Sequence, residues 1–213
     1  MSKAINYKFI LIGNTGVGKT SIFRYLSTGE FFENNISSIG IDKKTLDFSI
    51  EVLENKKKVK KNFSISLFDT AGQEQFKSIT FSYFKGSDGI LLLYDITNRL
   101  SFDNIEMWVN DIRDAIDSKA QSRYAIILIG NKFDLVKENE SNRKITEQEA
   151  KNACEKYKMI WGGERSIKDI NYEELNELFK TYVGYIYDEI GEKKVGKQKV
   201  RNIKKYKKKP TFC

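Results

Sequence analysis

Apolar residues along the chain gather into short blocks: "YKFILIG" from Tyr7, "FSISLF" from Phe63, "GILLLYDI" from Gly89, "YAIILIG" from Tyr124 and a weaker "MIW" from Met159. Blocks of this length with β-branched enrichment predict strands, and those without polar alternation predict a sheet buried on both faces. Between them the apolar positions switch to helical spacing. Ile22, Phe23 and Leu26 follow the first block. Phe102, Ile105, Trp108, Val109, Ile112 and Ile116 form one stripe, and Tyr172, Leu175, Leu178, Phe179, Tyr182, Val183 and Ile186 form another. Thr146 and Glu149 have the spacing of a capping box that opens a helix containing Ala150 and Ala153. Strands alternating with helices predict crossover connections, a mostly parallel sheet and helices on both faces.

One stretch breaks the alternation. Leu46, Phe48, Ile50 and Val52 alternate with polar residues, as do Phe63, Ile65 and Leu67, and "ENKKKVKKN" lies between the two sets. This predicts an antiparallel hairpin with a long, solvated loop. The folded body is expected to span residues 1–190, and residues 191–213 to form a disordered polybasic tail with too little apolar content to pack. No internal repeat is present.

Charge sharpens that division. The chain carries a net +8, yet residues 193–213 hold ten Lys/Arg and no acid, which leaves 8 minus 10, or −2, for the rest. A near-neutral body argues against a basic nucleic-acid-binding domain, whose charge would spread over a folded face. No run of eighteen apolar residues occurs, and the N-terminal apolar stretch is too short for a secretory signal, so the chain is expected in the cytosol or nucleus. Cys154 and Cys213 imply no disulfide framework, and the absence of histidine excludes every His-based mechanism and metal site.

Three segments carry candidate chemistry. "GNTGVGKT" runs through Gly13, Asn14, Thr15, Gly16, Val17, Gly18, Lys19 and Thr20, with Ser21 next, after a predicted strand and before a predicted helix. This is the phosphate-loop pattern: glycines let backbone amides face phosphate, Lys19 reaches the outer phosphates, and the Thr20 hydroxyl can ligate magnesium. The loop does not by itself choose between ATP and GTP. "NKFD", Asn131 to Asp134, supplies that choice. The Asp134 carboxylate can accept from the N1 and N2 hydrogens of guanine, which adenine lacks; Lys132 can lay its stem along the base, and Asn131 can tie the segment to the phosphate loop. In "LFDTAGQEQF", Asp69 ends a strand where it can hold magnesium through water, Gly72 can offer its amide to a γ-phosphate, and Gln73 can orient an attacking water.

At these segments the chain resembles small GTPases of the Ras superfamily, and within them the Rab branch. "SSIGID" from Ser37, "QFKSIT" from Gln75, "YFKG" from Tyr83, "LLYDIT" from Leu92 and "SFDNIEMW" from Ser101 are similar to the corresponding Rab stretches, and the likeness covers roughly residues 5–190. The resemblance implies the P-loop NTPase three-layer sandwich, with a mostly parallel six-stranded sheet and one antiparallel hairpin strand. It also implies a magnesium-dependent GTP/GDP switch that hydrolyses GTP by in-line attack of water. Carried onto this sequence, it makes Ser38 the switch-loop hydroxyl on magnesium, with Ser37 adjacent. Phe31 becomes the aromatic edge-on to guanine, with Phe32 beside it, and Ser166, Ile167 and Lys168 of "ERSIK" become the last guanine element.

The chain departs from the Rab pattern at several places. Serine stands at position 38 for the usual threonine, Lys43 for a phenylalanine, Phe68 for a tryptophan, Gln75 for an arginine and Ile167 for an alanine, and "WGG" precedes "ERSIK". The interswitch hairpin is several residues longer than usual.

For the rest of the molecule the resemblance implies an exchange factor, a GTPase-activating protein, effectors, a prenyl-transfer escort and a dissociation inhibitor as partners of a monomer. Its place would be the cytosol and the cytoplasmic face of an intracellular membrane in vesicle traffic. Geranylgeranylation of Cys213 would act together with the polybasic stretch at an anionic membrane surface, although "PTFC" is neither a two-cysteine ending nor a C-a-a-X box. The competing readings are a GTPase-fold binding module that does not hydrolyse, a P-loop nucleotide kinase and a tail-mediated nucleic-acid binder. The kinase would need an arginine-rich lid that the body lacks.

Overall fold

The computed structural model describes residues 4–32, 41–54, 57–70, 82–116 and 124–191. Six strands form one sheet: β1 (Ile5–Ile12), β2 (Ile41–Glu54), β3 (Lys57–Thr70), β4 (Gly89–Asp95), β5 (Ala125–Asn131) and β6 (Ile160–Glu164). They lie in the order β2-β3-β1-β4-β5-β6. All neighbours are parallel except β2 and β3, which pair antiparallel. β4 and β5 are buried at every position, as their unbroken apolar runs predict.

The helices are α1 (Lys19–Thr28), α2 (Arg99–Asp103), α3 (Ile105–Ala115), α4 (Phe133–Glu138), α5 (Glu147–Tyr157) and α6 (Tyr172–Ile190). Two apolar clusters sandwich the sheet. On one face Ile22 and Leu26 of α1 and Leu175, Phe179, Val183 and Ile186 of α6 pack against Phe9, Leu11, Ile65 and Leu91. On the other, Trp108, Val109 and Ile112 of α3 and Ala150 and Cys154 of α5 pack against Ile10, Ile90, Leu92 and Leu128. The stripe from Phe102 to Ile116 is divided at Asn104, which caps α2 and opens α3. The Thr146–Glu149 capping box forms as expected, and Asn171 with Glu174 makes a second one at the start of α6. α4 was not anticipated. It is short, and only Val136 of its residues is buried, so it leaves no helical periodicity to read.

The hairpin corrects the sequence reading. "ENKKKVKKN" is not a long loop, because the β2–β3 ladder continues through Val52↔Val59 and Leu53↔Lys58 to Glu54↔Lys57. The apolar alternation fades there because the ribbon has run past the core, where both of its faces meet water and cross-strand charge replaces burial. Lys58 bonds Glu51 and Lys61 bonds Glu54, each at 3.0 Å.

Candidate functional site

The Gly13–Thr20 and Asn131–Asp134 segments, with Asp69 near the end of β3, lie together at the carboxyl ends of the parallel strands, where ligands of open α/β sheets bind. The Gly13–Thr20 segment leaves β1 and enters α1 through Gly18, which is in the left-handed region at φ 103° and leaves the helix without a side-chain cap. The positive end of the helix dipole is thereby presented to the loop. A side chain at Gly18 would also strike Asn131, since its Cβ would lie 2.2 Å from Nδ2. Lys19 is buried and folds back over the loop, with Nζ donating to the carbonyls of Gly13 (2.8 Å) and Asn14 (2.7 Å). Thr15 and Gly16 are exposed at the loop tip, Val17 is buried beneath it, and Thr20 and Ser21 occupy the first turn of α1. Thr20 Oγ1 donates to Asp69 Oδ2 at 2.8 Å, and Asp69 is fully buried near the end of β3. Two hard oxygen donors, one of them a carboxylate, within hydrogen-bond distance at a helix N-terminus form a set that suits magnesium.

Asn131, at the end of β5, joins three segments. Its Nδ2 donates to the Val17 carbonyl at 2.9 Å, and its Oδ1 accepts from the Ile167 amide at 3.2 Å. Lys132 takes the left-handed conformation at φ 68°. Its ammonium pairs with the nearly buried Asp95 at 2.8 Å. Asp134 accepts from Ser166 Oγ at 2.8 Å, and Ser166 Oγ itself accepts from the Asp169 amide. Backbone bonds complete the clamp: Arg165 N donates to Gly130 O (2.7 Å), and Phe133 N donates to Arg165 O (3.0 Å). NKFD and the segment Ser166–Lys168 therefore form one rigid unit, with Lys168 exposed beside it.

The "WGG" stretch and Ile167 now have physical explanations. Gly162 lies flat on β5, where a Cβ would fall 2.7 Å from Ile127 Cγ2 and 2.9 Å from Ile129 Cγ1. Gly163 has φ +89°, and the β5–β6 register shifts between Leu128 and Gly130. This bulge re-aims the chain so that Glu164 onward turns toward NKFD. Ile167 finds its room in the core beside Ile22, Ile129 and Leu175, and its amide still faces Asn131.

Several supporting residues were not legible. Trp108 Nε1 donates to Asn14 Oδ1 at 2.9 Å and ties the phosphate loop to α3. Arg143 makes a bidentate pair with Glu164, at 2.6 and 3.0 Å, which raises the guanidinium pKa and braces the end of β6. Burial, and then the Glu164 charge, push up the Tyr94 hydroxyl beneath Gly130. These partners lie far from the motifs in sequence and carry no pattern of their own.

Phe31 rests edge-on against Tyr25, with ring centroids 5.9 Å apart, and Tyr25 bonds the Ile170 carbonyl just beyond Lys168. Phe32 is 44% exposed. Ser38, Gly72, Gln73 and Cys213 lie outside the described residues. Of the departures from the Rab pattern, Lys43 and Phe68 meet: the Lys43 ammonium stands 5.6 Å over the Phe68 ring, Tyr83 packs 5.7 Å from that ring, and Lys8 lies 5.2 Å from it. Together they form a cluster that is both aromatic and cationic.

Comparison with known proteins agrees with this geometry. A family model described as the Ras family matches residues 8–188. Ras-related protein RabC of Dictyostelium discoideum is 36% identical over 158 residues, which cover 74% of this chain and 74% of that protein. Ras-related protein Rab-1 of Theileria annulata is 36% identical over 185 residues, covering 86% and 76% respectively. Ras-related protein RGP2 of Oryza sativa subsp. japonica is 33% identical over 187 residues, covering 88% and 77%.

Proposed function

The chain belongs to the Ras family as a Rab-like member, and on that premise we propose that it binds GTP and GDP at the carboxyl end of the sheet. It hydrolyses GTP and acts as a nucleotide-dependent switch in intracellular membrane traffic. The observation that carries the reading is the pair of hydrogen bonds made by the Asn131 side chain, which fixes the phosphate loop and the segment Ser166–Lys168 on either side of NKFD. A base held by that unit has its phosphates directed toward Gly13–Ser21.

In this reading Asp134, oriented by Ser166, accepts from the N1 and N2 hydrogens of guanine. The stem of Lys132 lines one side of the base and Phe31 the other, with Lys168 covering the sugar-facing rim. The Ile167 amide helps fix Asn131. The amides of residues 13–18 cradle the phosphates, and Lys19, already turned over the loop, neutralises charge on the outer ones. Thr20 directly, Asp69 through water and Ser38 from the switch loop would hold a magnesium ion, which when bound offsets phosphate charge. Among the described residues no cluster of three or more acids or cysteines could hold a metal, so nucleotide and water would complete the shell. Gly72 donates its amide to the γ-phosphate, and Gln73 orients the attacking water.

The same reading places the protein in the cytosol and at the cytoplasmic face of an intracellular membrane, reached through the polybasic tail and a prenyl chain on Cys213. An exchange factor, an activating protein, effectors, a prenyl-transfer escort and a dissociation inhibitor would be its partners. No helix among the described residues is long and apolar enough to cross a membrane.

Single-turnover phosphate release tests the catalytic part. Gln73→Leu should retain GDP and GTP binding while hydrolysis falls by about tenfold or more. Unchanged release would remove Gln73 from the mechanism.

A further inference from the structure

We propose that the far end of the β2–β3 hairpin is a second membrane contact, lying against an anionic lipid surface beside the polybasic tail. Beyond the core the ribbon exposes Lys57, Lys58 and Lys60, with Val59 between them 36% exposed. Residues 51–61 carry five lysines against two glutamates. Both glutamates are matched within the ribbon, Glu51 by Lys58 and Glu54 by Lys61, so the excess charge of the ribbon itself is positive, beside Asp188 and Glu189 on the last turn of α6.

The tail leaves from the same end. Tyr187, on the last turns of α6, donates to Glu54 Oε1 at 2.6 Å, and Tyr7, near the start of β1, donates to the carbonyl of Gly191, the last described residue. Residues 193–213, with their ten Lys/Arg, therefore follow in sequence from a point tied to the hairpin's end of the sheet. The nucleotide loops lie at the opposite end of the sheet, so a membrane held here leaves them facing away from it.

A lipid surface fits better than nucleic acid. The large apolar side chain exposed among these lysines is an aliphatic valine, with none of the aromatic platforms on which bases stack. The inference rests on the tail being a membrane contact and adds the hairpin to it.

The test uses the full, unlipidated, GDP-bound chain and phosphatidylcholine vesicles with or without phosphatidylserine. Each basic residue at an anionic surface strengthens binding by up to about fivefold. The triple variant Lys57→Gln, Lys58→Gln, Lys60→Gln should therefore lose about tenfold to 100-fold in partition to phosphatidylserine vesicles while its GDP affinity stays unchanged. An environment-sensitive dye on Val59→Cys, in a Cys213→Ser background, should report a less polar setting on those vesicles only. If the triple variant binds as well as the parent, while neutralising the tail lysines abolishes binding, the hairpin contact is wrong and the tail reading stands. If the parent ignores phosphatidylserine, or leaves the vesicles for single-stranded RNA at the same salt, both fail.

Discussion

The two ends of the sheet are built on different principles. At the carboxyl end of the parallel strands, loops remote in sequence are locked by directional bonds: Asn131 to Val17 and Ile167, Ser166 to Asp134, Trp108 to Asn14 and Arg143 to Glu164. Most of these groups are buried or nearly so, and a buried polar group without its partner costs about 1–3 kcal/mol. At the opposite end one tyrosine bond joins the hairpin to the end of α6, and two cross-strand ion pairs lie within the hairpin, with most of its lysines in water. The exposed Lys58–Glu51 pair contributes under about 1 kcal/mol. Geometry is held tightly where a small polar ligand must be discriminated, and charge is spread loosely where a broad surface is met.

Substitutions that act at one end only would break or sharpen that contrast. The largest effect is expected from Asn131→Ala, which strands the Val17 carbonyl and the Ile167 amide. Two such losses amount to about 3 kcal/mol, so GDP should dissociate with an affinity weakened by roughly 100-fold in a fluorescent-nucleotide displacement assay.

Next is Gly162→Ala, whose Cβ has no room against Ile127 and Ile129. Overpacking costs about 1–3 kcal/mol, and in a chain of this size each kcal/mol lowers Tm by about 2–4 °C. Because the bulge delivers the segment Glu164–Lys168, nucleotide affinity should fall along with Tm. Tyr187→Phe is the converse control at the other end. It removes the bond to Glu54, and thermal unfolding should show a loss of about 1 kcal/mol with nucleotide affinity unchanged.

The smallest expected effect is at Glu149, whose carboxyl is held down at about 2, first by the Thr146 amide and then by Arg99. Its folded value lies below its ordinary 4.5, so the stabilisation is present above that pH and is lost as pH falls toward 2. The group is exposed, so Glu149→Gln should cost only about 0.5 kcal/mol at neutral pH. It should also flatten that part of the acid-unfolding curve while leaving GDP binding unchanged.

The sequence made one end far more legible than the other. Glycine and lysine at fixed spacing, N-K-x-D after an apolar strand and a Thr–Glu capping box are local signals, because each reflects a backbone geometry made within a few residues. The fold itself was readable from unbroken apolar runs. What stayed hidden joins distant positions: Trp108 to Asn14, Ser166 to Asp134, and the Gly162 bulge that rests on β5. The hairpin was misread for a related reason. Alternation marks a strand only while one face has a core to cover, and past Val52 the ladder continues on backbone bonds and lysine–glutamate pairs.

Nucleotide selection at the clamped end tests the central claim most directly. In competition against labelled GDP, unlabelled GDP and GTP should displace it and ADP should not. Asp134→Asn should transfer preference to xanthosine nucleotides, because the amide can donate where the carboxylate only accepts. Displacement by ADP as readily as by GDP, or undiminished GDP binding by Asp134→Asn, would contradict the assignment of this site to guanine.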